Sequence, residues 1–212
     1  MPSRSANHAG RRSDPDRFDA DYYRRFYGDA RSRVSDLEAV KKLASFVAGY
    51  LRFLDVPVRS ILDVGCGLGH WQRAAAELWP RARYHGVEHS EHLCARFGWT
   101  QGSIVDFDAD AAFGASRFDL VICQGVLQYL DDRQAARAIG NLAKWCEGAL
   151  YLEALTALDW RRNCDQARTD GNVHLRSGAW YRQRLLRRFV SCGGGVFCSK
   201  TAGTTLFELE GT

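Results

Sequence analysis

At 212 residues, the chain is long enough for one sizeable α/β domain around a single core and short for two. Its 46% hydrophobic and 25% charged content is ordinary for a globular protein, and a formal net charge of +4 falls short of the imbalance expected of a strongly basic nucleic-acid-binding face. The seven Cys contain no C-x-x-C pair, so the usual zinc spacings are missing, no metal is expected, and the scattered thiols fit a reducing, cytoplasmic setting.

Residues 1–17 mix Arg4, Arg11, Arg12 and Arg17 with Asp14 and Asp16 and hold no apolar run. They read as a disordered polar tail without a signal peptide or membrane span. One domain is expected over 18–212. Tyr22, Tyr23, Phe26 and Tyr27 cluster on a short helical stretch. Leu37, Val40, Leu43, Ala44, Val47, Leu51 and Leu54 recur at three- and four-residue steps. That rhythm predicts a helix from Asp36, with Ser35 as N-cap and Glu38 completing a capping box.

From Ser60 the rhythm changes. Strands are predicted at Ile61–Val64, Tyr84–Glu88, Trp99–Val105, Phe118–Cys123 and Ala149–Leu152, separated by helices at His70–Trp79, Ser90–Phe97 and Asp131–Trp145. Strands apolar on both faces and alternating with helices indicate a parallel sheet covered on both sides. An irregular stretch rich in Arg, Asp and Asn runs over 156–177, and a helix is predicted from Gly178 to Phe189. Two last strands, Val196–Ser199 and Thr204–Glu208, would turn at Ala202-Gly203. The fold class is therefore α/β: a Rossmann-like, doubly wound, mostly parallel seven-stranded sheet with an antiparallel C-terminal hairpin. Its parts are a binding core over 36–155, an insert over 156–177, and a helix with hairpin over 178–212.

In such a sheet ligands bind beyond the carboxyl ends of the strands. The first of these loops reads Asp63-Val64-Gly65-Cys66-Gly67-Leu68-Gly69. Its glycines permit positive φ and let main chain approach a ligand. Glu88 ends the second strand about 20 residues beyond the glycines, where an acidic group accepts the hydrogen bonds of a ribose diol. The glycine spacing is not the G-x-G-x-x-G of a pyrophosphate cradle, because His70 follows Gly69; nor is it a P-loop, since no Lys-Ser or Lys-Thr follows. Asp63 would repel a pyrophosphate and welcome an amine. An adenosine ligand with an amino-acid tail fits better than NAD.

Asp63-x-Gly65-x-Gly67-x-Gly69 resembles the [DE]-x-G-x-G-x-G loop of class I S-adenosylmethionine-dependent methyltransferases. Glu88, Gly102-Ser103, Phe118-Asp119-Leu120-Val121 and Val126-Leu127 follow in the family's order, and the likeness spans residues 37–155. The resemblance implies S-adenosylmethionine as cofactor. It sets Gly65, Cys66, Gly67 and Gly69 along the methionine portion, with Asp63 helping to hold its ammonium. Glu88 would take the ribose, His89 and Ile104 would flank the adenine, and Gln124 and Gly125 would sit near the sulfonium. Ser103 departs from the family's usual Asp: either its hydroxyl accepts the bond of the adenine amino group more weakly, or Asp106 substitutes for it.

On the acceptor side, Tyr22, Tyr23 and Tyr27 either form a lid or merely cover the sheet, and Gln128 or Tyr129 faces the transfer site. The insert carries Arg161, Arg162, Arg168 and His174, and His174 is the candidate general base because its ordinary pKa lies near neutrality. Trp180 stacks on a flat acceptor or packs in the core. A small molecule, acidic if the insert arginines bind it, is the expected acceptor, with no membrane and no specific protein partner implied. Methylation of RNA or protein is an alternative. Against amino-group methylation of nucleobases, Cys123-Gln124-Gly125-Val126 stands where such relatives carry [DNS]-P-P-[YFW]. A binding protein without turnover is a third reading, supported by Ser103 alone.

Overall fold

A computed structural model describes residues 18–27 and 36–206, with the side chain of Tyr27 outside the described set. Its seven-stranded sheet has the order β3-β2-β1-β4-β5-β7-β6, with strands β1 Ser60–Val64, β2 Arg83–Glu88, β3 Thr100–Gln101, β4 Phe118–Gln124, β5 Cys146–Glu153, β6 Phe189–Gly193 and β7 Val196–Ser199. The first five strands are parallel, and β7 runs antiparallel to both β5 and β6.

The central strands read as continuous apolar runs because both of their faces are covered. Ile61, Leu120, Ile122 and Tyr151 point to one side, where they meet α2 (Leu37–Phe53) through Val40, Ala44, Val47 and Leu51 and α3 (His70–Leu78) through Trp71, Ala74 and Ala75. Leu62, Val64, Val121, Cys123 and Leu150 point to the other. There they meet α6 (Asp132–Trp145) and α8 (Gly178–Leu185) through Ala135, Ile139, Leu142, Tyr181 and Leu185. The alternation follows from the two-residue side-chain period of a strand. Three further helices, α4 (Glu91–Phe97), α5 (Ala109–Phe113) and α7 (Ala157–Arg162), lie in the connections, and α1 (Ala20–Tyr27) precedes them all.

Helix starts are set by short polar side chains. Asp36 caps α2 and accepts from the Ala39 amide at 2.8 Å, while Ser35, the expected cap, lies outside the described residues. Ser90 caps α4, and Asp131 with Gln134 makes a capping box on α6. The 156–177 stretch is more ordered at its start than its composition suggests, because Thr156 and Asp159 form a second capping box that starts α7.

The C-terminal hairpin lies one strand earlier than the sequence pattern predicts. The last helix stops at Leu185, Phe189 becomes the buried first residue of β6, and the chain reverses at Gly193-Gly194-Gly195. All three glycines have positive φ, which makes this triplet a stronger turn than Ala202-Gly203. Residues 204–206 form no strand, and 207–212 lie outside the described residues. Similarly, β3 contracts to two residues because the chain leaves the sheet at Gly102.

The base of the sheet is tied by Asp119 at the start of β4. One of its carboxylate oxygens, Oδ2, accepts from the Arg59 amide at 2.8 Å, the Ser60 amide at 2.9 Å and the Ser60 hydroxyl at 3.0 Å, while Ser60 Oγ accepts from the Asp119 amide at 3.1 Å. This knot is at the opposite end of the strands from the ligand loops. Asp119→Ala should therefore lower unfolding stability by about 2 kcal/mol, read as an earlier urea midpoint. Ligand affinity measured by calorimetry should stay unchanged.

Candidate active site

A cavity of about 1880 Å³ opens above the carboxyl ends of β1, β2, β4 and β5, with α1 along its rim. Its floor is the loop after β1. The Gly67 amide donates to Glu88 Oε2 at 2.9 Å, and the His89 and Ser90 amides donate to Glu88 Oε1, each at 2.9 Å. Glu88 is 6% exposed, so these three main-chain donors compensate a nearly buried charge. They occupy both acceptor positions of Oε1 and one of Oε2, leaving a single position toward the cavity rather than the two that a diol would use.

Gly67 has φ +51°, and a Cβ placed on it would meet nothing nearer than the Gly65 carbonyl at 3.8 Å. Its bare backbone thus faces open space. Gly65 answers a different constraint, since a Cβ there would lie 2.3 Å from Val126 Cγ2. The loop is held from outside by Trp99, whose indole Nε1 donates to the Gly67 carbonyl at 2.9 Å.

Asp63, 2% exposed, accepts a short hydrogen bond from the Tyr84 hydroxyl. Burial pushes its carboxyl up to about 7; the Tyr84 bond works against that shift and the nearby Glu88 charge adds to it. The Cys66 thiol is pushed well up, chiefly by burial and also by Asp63 and Glu88, and stays neutral. Across the cavity, Ser103 and Ile104 sit on a tight turn in which the Asp106 and Phe107 amides donate to the Ser103 carbonyl. Asn141 of α6 anchors that turn by donating to the Ile104 and Val105 carbonyls at 2.8 and 3.0 Å. His89 also lines the cavity, and its Nε2 is buried without a partner.

At the end of β4, Gln124 accepts from the Trp71 indole at 2.8 Å and donates to Glu153 Oε2 at 3.1 Å. A 3-10 turn, Leu127–Tyr129, follows. Gln128 is buried beside the cavity, and the Tyr129 and Tyr22 hydroxyls meet at 3.0 Å, fastening α1 to this turn. At the other end, Ser90 Oγ donates to the Phe18 carbonyl at 2.5 Å. Tyr23 lines the cavity and stacks with His92.

The residue that fixes the far wall escaped the sequence reading. Arg176 is 5% exposed and joins the insert to the turn after β4. It donates to the Leu127 carbonyl at 3.0 Å, to the Leu130 carbonyl, and to Asp132 at 2.7 Å, while its guanidinium lies 4.9 Å from the Trp180 ring centroid. Among several arginines in sequence, only its burial sets it apart, and burial requires the fold.

Most residues singled out from the sequence line this cavity, but Gly69 and Trp180 do not. A Cβ on Gly69 would meet the Trp99 ring at 2.9 Å, so that glycine serves packing behind the loop. Trp180 packs on the core and is covered by Arg184, whose guanidinium lies 3.7 Å from its ring centroid. Tyr27 ends α1 with its side chain outside the described residues. His174 is exposed at the cavity mouth, its amide donating to the Gln128 carbonyl at 2.7 Å. Arg161 and Arg162 are exposed on α7, away from the cavity wall; Arg168 lines it but pairs with Asp165 at 3.2 Å. Among the described residues, no group of three or more His, Cys, Asp or Glu is placed to hold a metal, and no helix is long and apolar enough to cross a membrane.

Residues 62–147 match the family model described as a methyltransferase domain. Over 96 residues the chain is 31% identical to trans-aconitate 2-methyltransferase of Streptomyces avermitilis, a stretch covering 42% of this chain and 34% of that protein. Over 109 residues it is 29% identical to malonyl-[acyl-carrier protein] O-methyltransferase of Legionella pneumophila, covering 49% and 38%. The matches thus span little more than a third of these relatives' length. In fold, the chain is similar to magnesium protoporphyrin IX methyltransferase from Synechocystis PCC 6803, solved with bound SAH, with a TM-score of 0.57 at 19% identity, covering 87% of this chain and 90% of that one.

Replacing Arg176 by Met keeps its apolar stem but strands the Leu127 and Leu130 carbonyls. Arg176→Met should lower stability by about 2–3 kcal/mol and speed amide hydrogen exchange across residues 163–176. Unchanged exchange there would show that the insert is held by other contacts.

Proposed function

We propose that this chain, which carries a class I S-adenosylmethionine-dependent methyltransferase domain, transfers the methyl group of that cofactor to a small-molecule acceptor. The observation that carries the reading is the bond from the Gly67 amide to Glu88, which joins a bare glycine loop and a fixed carboxylate into one wall beside open space. Such a wall suits a nucleoside with a cationic tail. A pyrophosphate would meet the charges of Glu88 and Asp63 with no Lys or Arg among the residues of the glycine loop to offset them.

The residues fit the cofactor in chemical type. Glu88 offers a ribose hydroxyl the last acceptor position on Oε2. Gly65 and Gly67 present main chain to the methionine portion, and Asp63 is the counter-ion for its ammonium. His89, with an unpartnered buried nitrogen, and Ile104 flank the adenine; Ser103 and Asp106 offer acceptors to its amino group. Gln124 and Gly125 adjoin the sulfonium. Bound cofactor supplies a methyl carbon on a leaving group that is already activated. The protein's share is then to orient the acceptor and keep water out, which effective-molarity measurements value at several kcal/mol. Tyr23, Gln128 and Tyr129 serve that purpose, and His174 at the mouth is the group available to take a proton from an acceptor that must lose one.

Calorimetry with S-adenosylmethionine and S-adenosylhomocysteine tests the reading directly; absence of heat with both, on folded protein, would falsify it. Glu88→Ala should weaken binding by about 1–3 kcal/mol. Asp63 adds a pH signature. Its carboxyl is half protonated at about 7 in the free protein, and a ligand ammonium favours the carboxylate. Binding below that pH therefore releases a proton, so affinity should rise as pH climbs through about 7 and then level. Asp63→Asn should abolish both the rise and the proton release, measured in buffers of different ionisation heat.

A further inference from the structure

The turn after β4 holds an amide whose hydrogen-bonding capacity the fold leaves unused. Gln128 is 8% exposed, its Oε1 is shut off from solvent without a partner, and among the described residues nothing accepts from its Nε2. Nε2 is the end turned to the space beside Gly125, 3.6 Å from where a Cβ on that glycine would lie. Both residues line the cavity. An N–H donor held in this way is matched by a ligand atom with a lone pair.

The rest of the wall narrows what can carry that lone pair. Among the described residues, seven Asp or Glu side chains and a single Lys or Arg, Arg168, line the cavity, and that guanidinium already pairs with Asp165 at 3.2 Å. An anionic acceptor finds no unpaired Lys or Arg there and meets a field of its own sign. An ammonium suits the field but has no lone pair for Nε2 to meet. An uncharged oxygen satisfies both conditions. The same turn is edged by rings. Tyr129, next in sequence to Gln128, packs edge-on to Phe18 at 5.2 Å and meets the Tyr22 hydroxyl at 3.0 Å, and all three line the cavity.

We infer that the methyl acceptor is a phenol, uncharged when it enters, whose oxygen accepts from Gln128 Nε2 while its ring lies against the aromatic edge of the cavity. The inference rests on the methyltransferase reading above, which sets Gly125 beside the sulfonium, and narrows its substrate class. One oxygen lone pair takes the Nε2 hydrogen bond and another forms the O–C bond to the methyl group. The C–S bond breaks with its electron pair leaving on sulfur, which ends as the neutral thioether, and the hydroxyl proton passes to water at the open mouth. A phenol, with an ordinary pKa of about 10, gives up that proton far more readily than an alcohol does. The Nε2 bond strengthens as the oxygen gains negative charge, so Gln128 acts on the reacting atom itself.

Four bisubstrate probes test this without knowledge of the natural acceptor. In each, nitrogen replaces the sulfonium sulfur of S-adenosylmethionine and carries a two-carbon arm ending in a phenoxy, benzyl, methoxy or guanidinium group. The phenoxy probe should bind about 5-fold tighter than the benzyl probe, which has a methylene in place of the oxygen. It should bind about 10-fold tighter than the methoxy probe, which lacks the ring. Gln128→Leu should bring the phenoxy and benzyl probes to within about 2-fold of each other without weakening the benzyl one. Equal binding of those two probes to the wild-type protein overturns the inference, as does an oxygen preference that survives Gln128→Leu. A methoxy probe that binds as well as the phenoxy one overturns it too. So does a guanidinium probe that binds tightest and loses its advantage in Gln128→Leu, because the amide would then be presenting its carbonyl. S-adenosylhomocysteine separates the two levels: if it binds while the oxygen preference is missing, only the acceptor class falls. If neither it nor any probe binds, the nucleoside site itself falls.

Discussion

The architecture of the site depends on how one buried carboxylate is compensated. Glu88 sits almost out of water, and among the described residues no Lys or Arg forms an ion pair with it; its charge is met by the amides of Gly67, His89 and Ser90. Main-chain donors are fixed by the fold, so the charge and the loop conformation specify each other. The Gly67 bond draws the loop after β1 onto the end of β2, and the Ser90 bond sets the residue that caps α4. A guanidinium partner would have compensated the charge equally well but would have filled the open space beside Gly67.

The other carboxylates around the cavity are stabilised in distinct ways, and the difference sorts them by what they can still do. Asp159 is consumed by Thr156 and Asn163, which hold its carboxyl below the usual range. Asp63 has a single strong donor in Tyr84 and titrates near neutrality. Glu153, exposed, accepts from two neutral donors on one oxygen, and among the described residues the other has no partner. The field of such a cavity favours cationic ligands over anionic ones.

Much of this was legible in sequence where the signal is local. The glycine loop and the doubly apolar strands each announce themselves within a dozen residues, and Glu88 through its spacing of about 20 residues from that loop. The hairpin did not, because Ala202-Gly203 and Gly193-Gly194-Gly195 are both turn signals and only Phe189 packing into the core selects the second. Gly69 looks like its neighbours in the motif, yet its lack of a side chain is set by Trp99, thirty residues away in sequence. Arg176 could not be singled out at all, because what sets it apart is burial, which comes from packing between distant segments.

The short helix at the start of the described chain has a kinetic meaning. It is fastened on one flank by the Phe18 carbonyl to Ser90 and on the other by Tyr22 to Tyr129, with Phe18 packed edge-on against the Tyr129 ring at 5.2 Å. Exchange of a bulky occupant across that rim must part at least one of these fastenings. One helix thus couples the loop after β2 to the turn after β4, and opening the rim on either flank costs a contact on that flank.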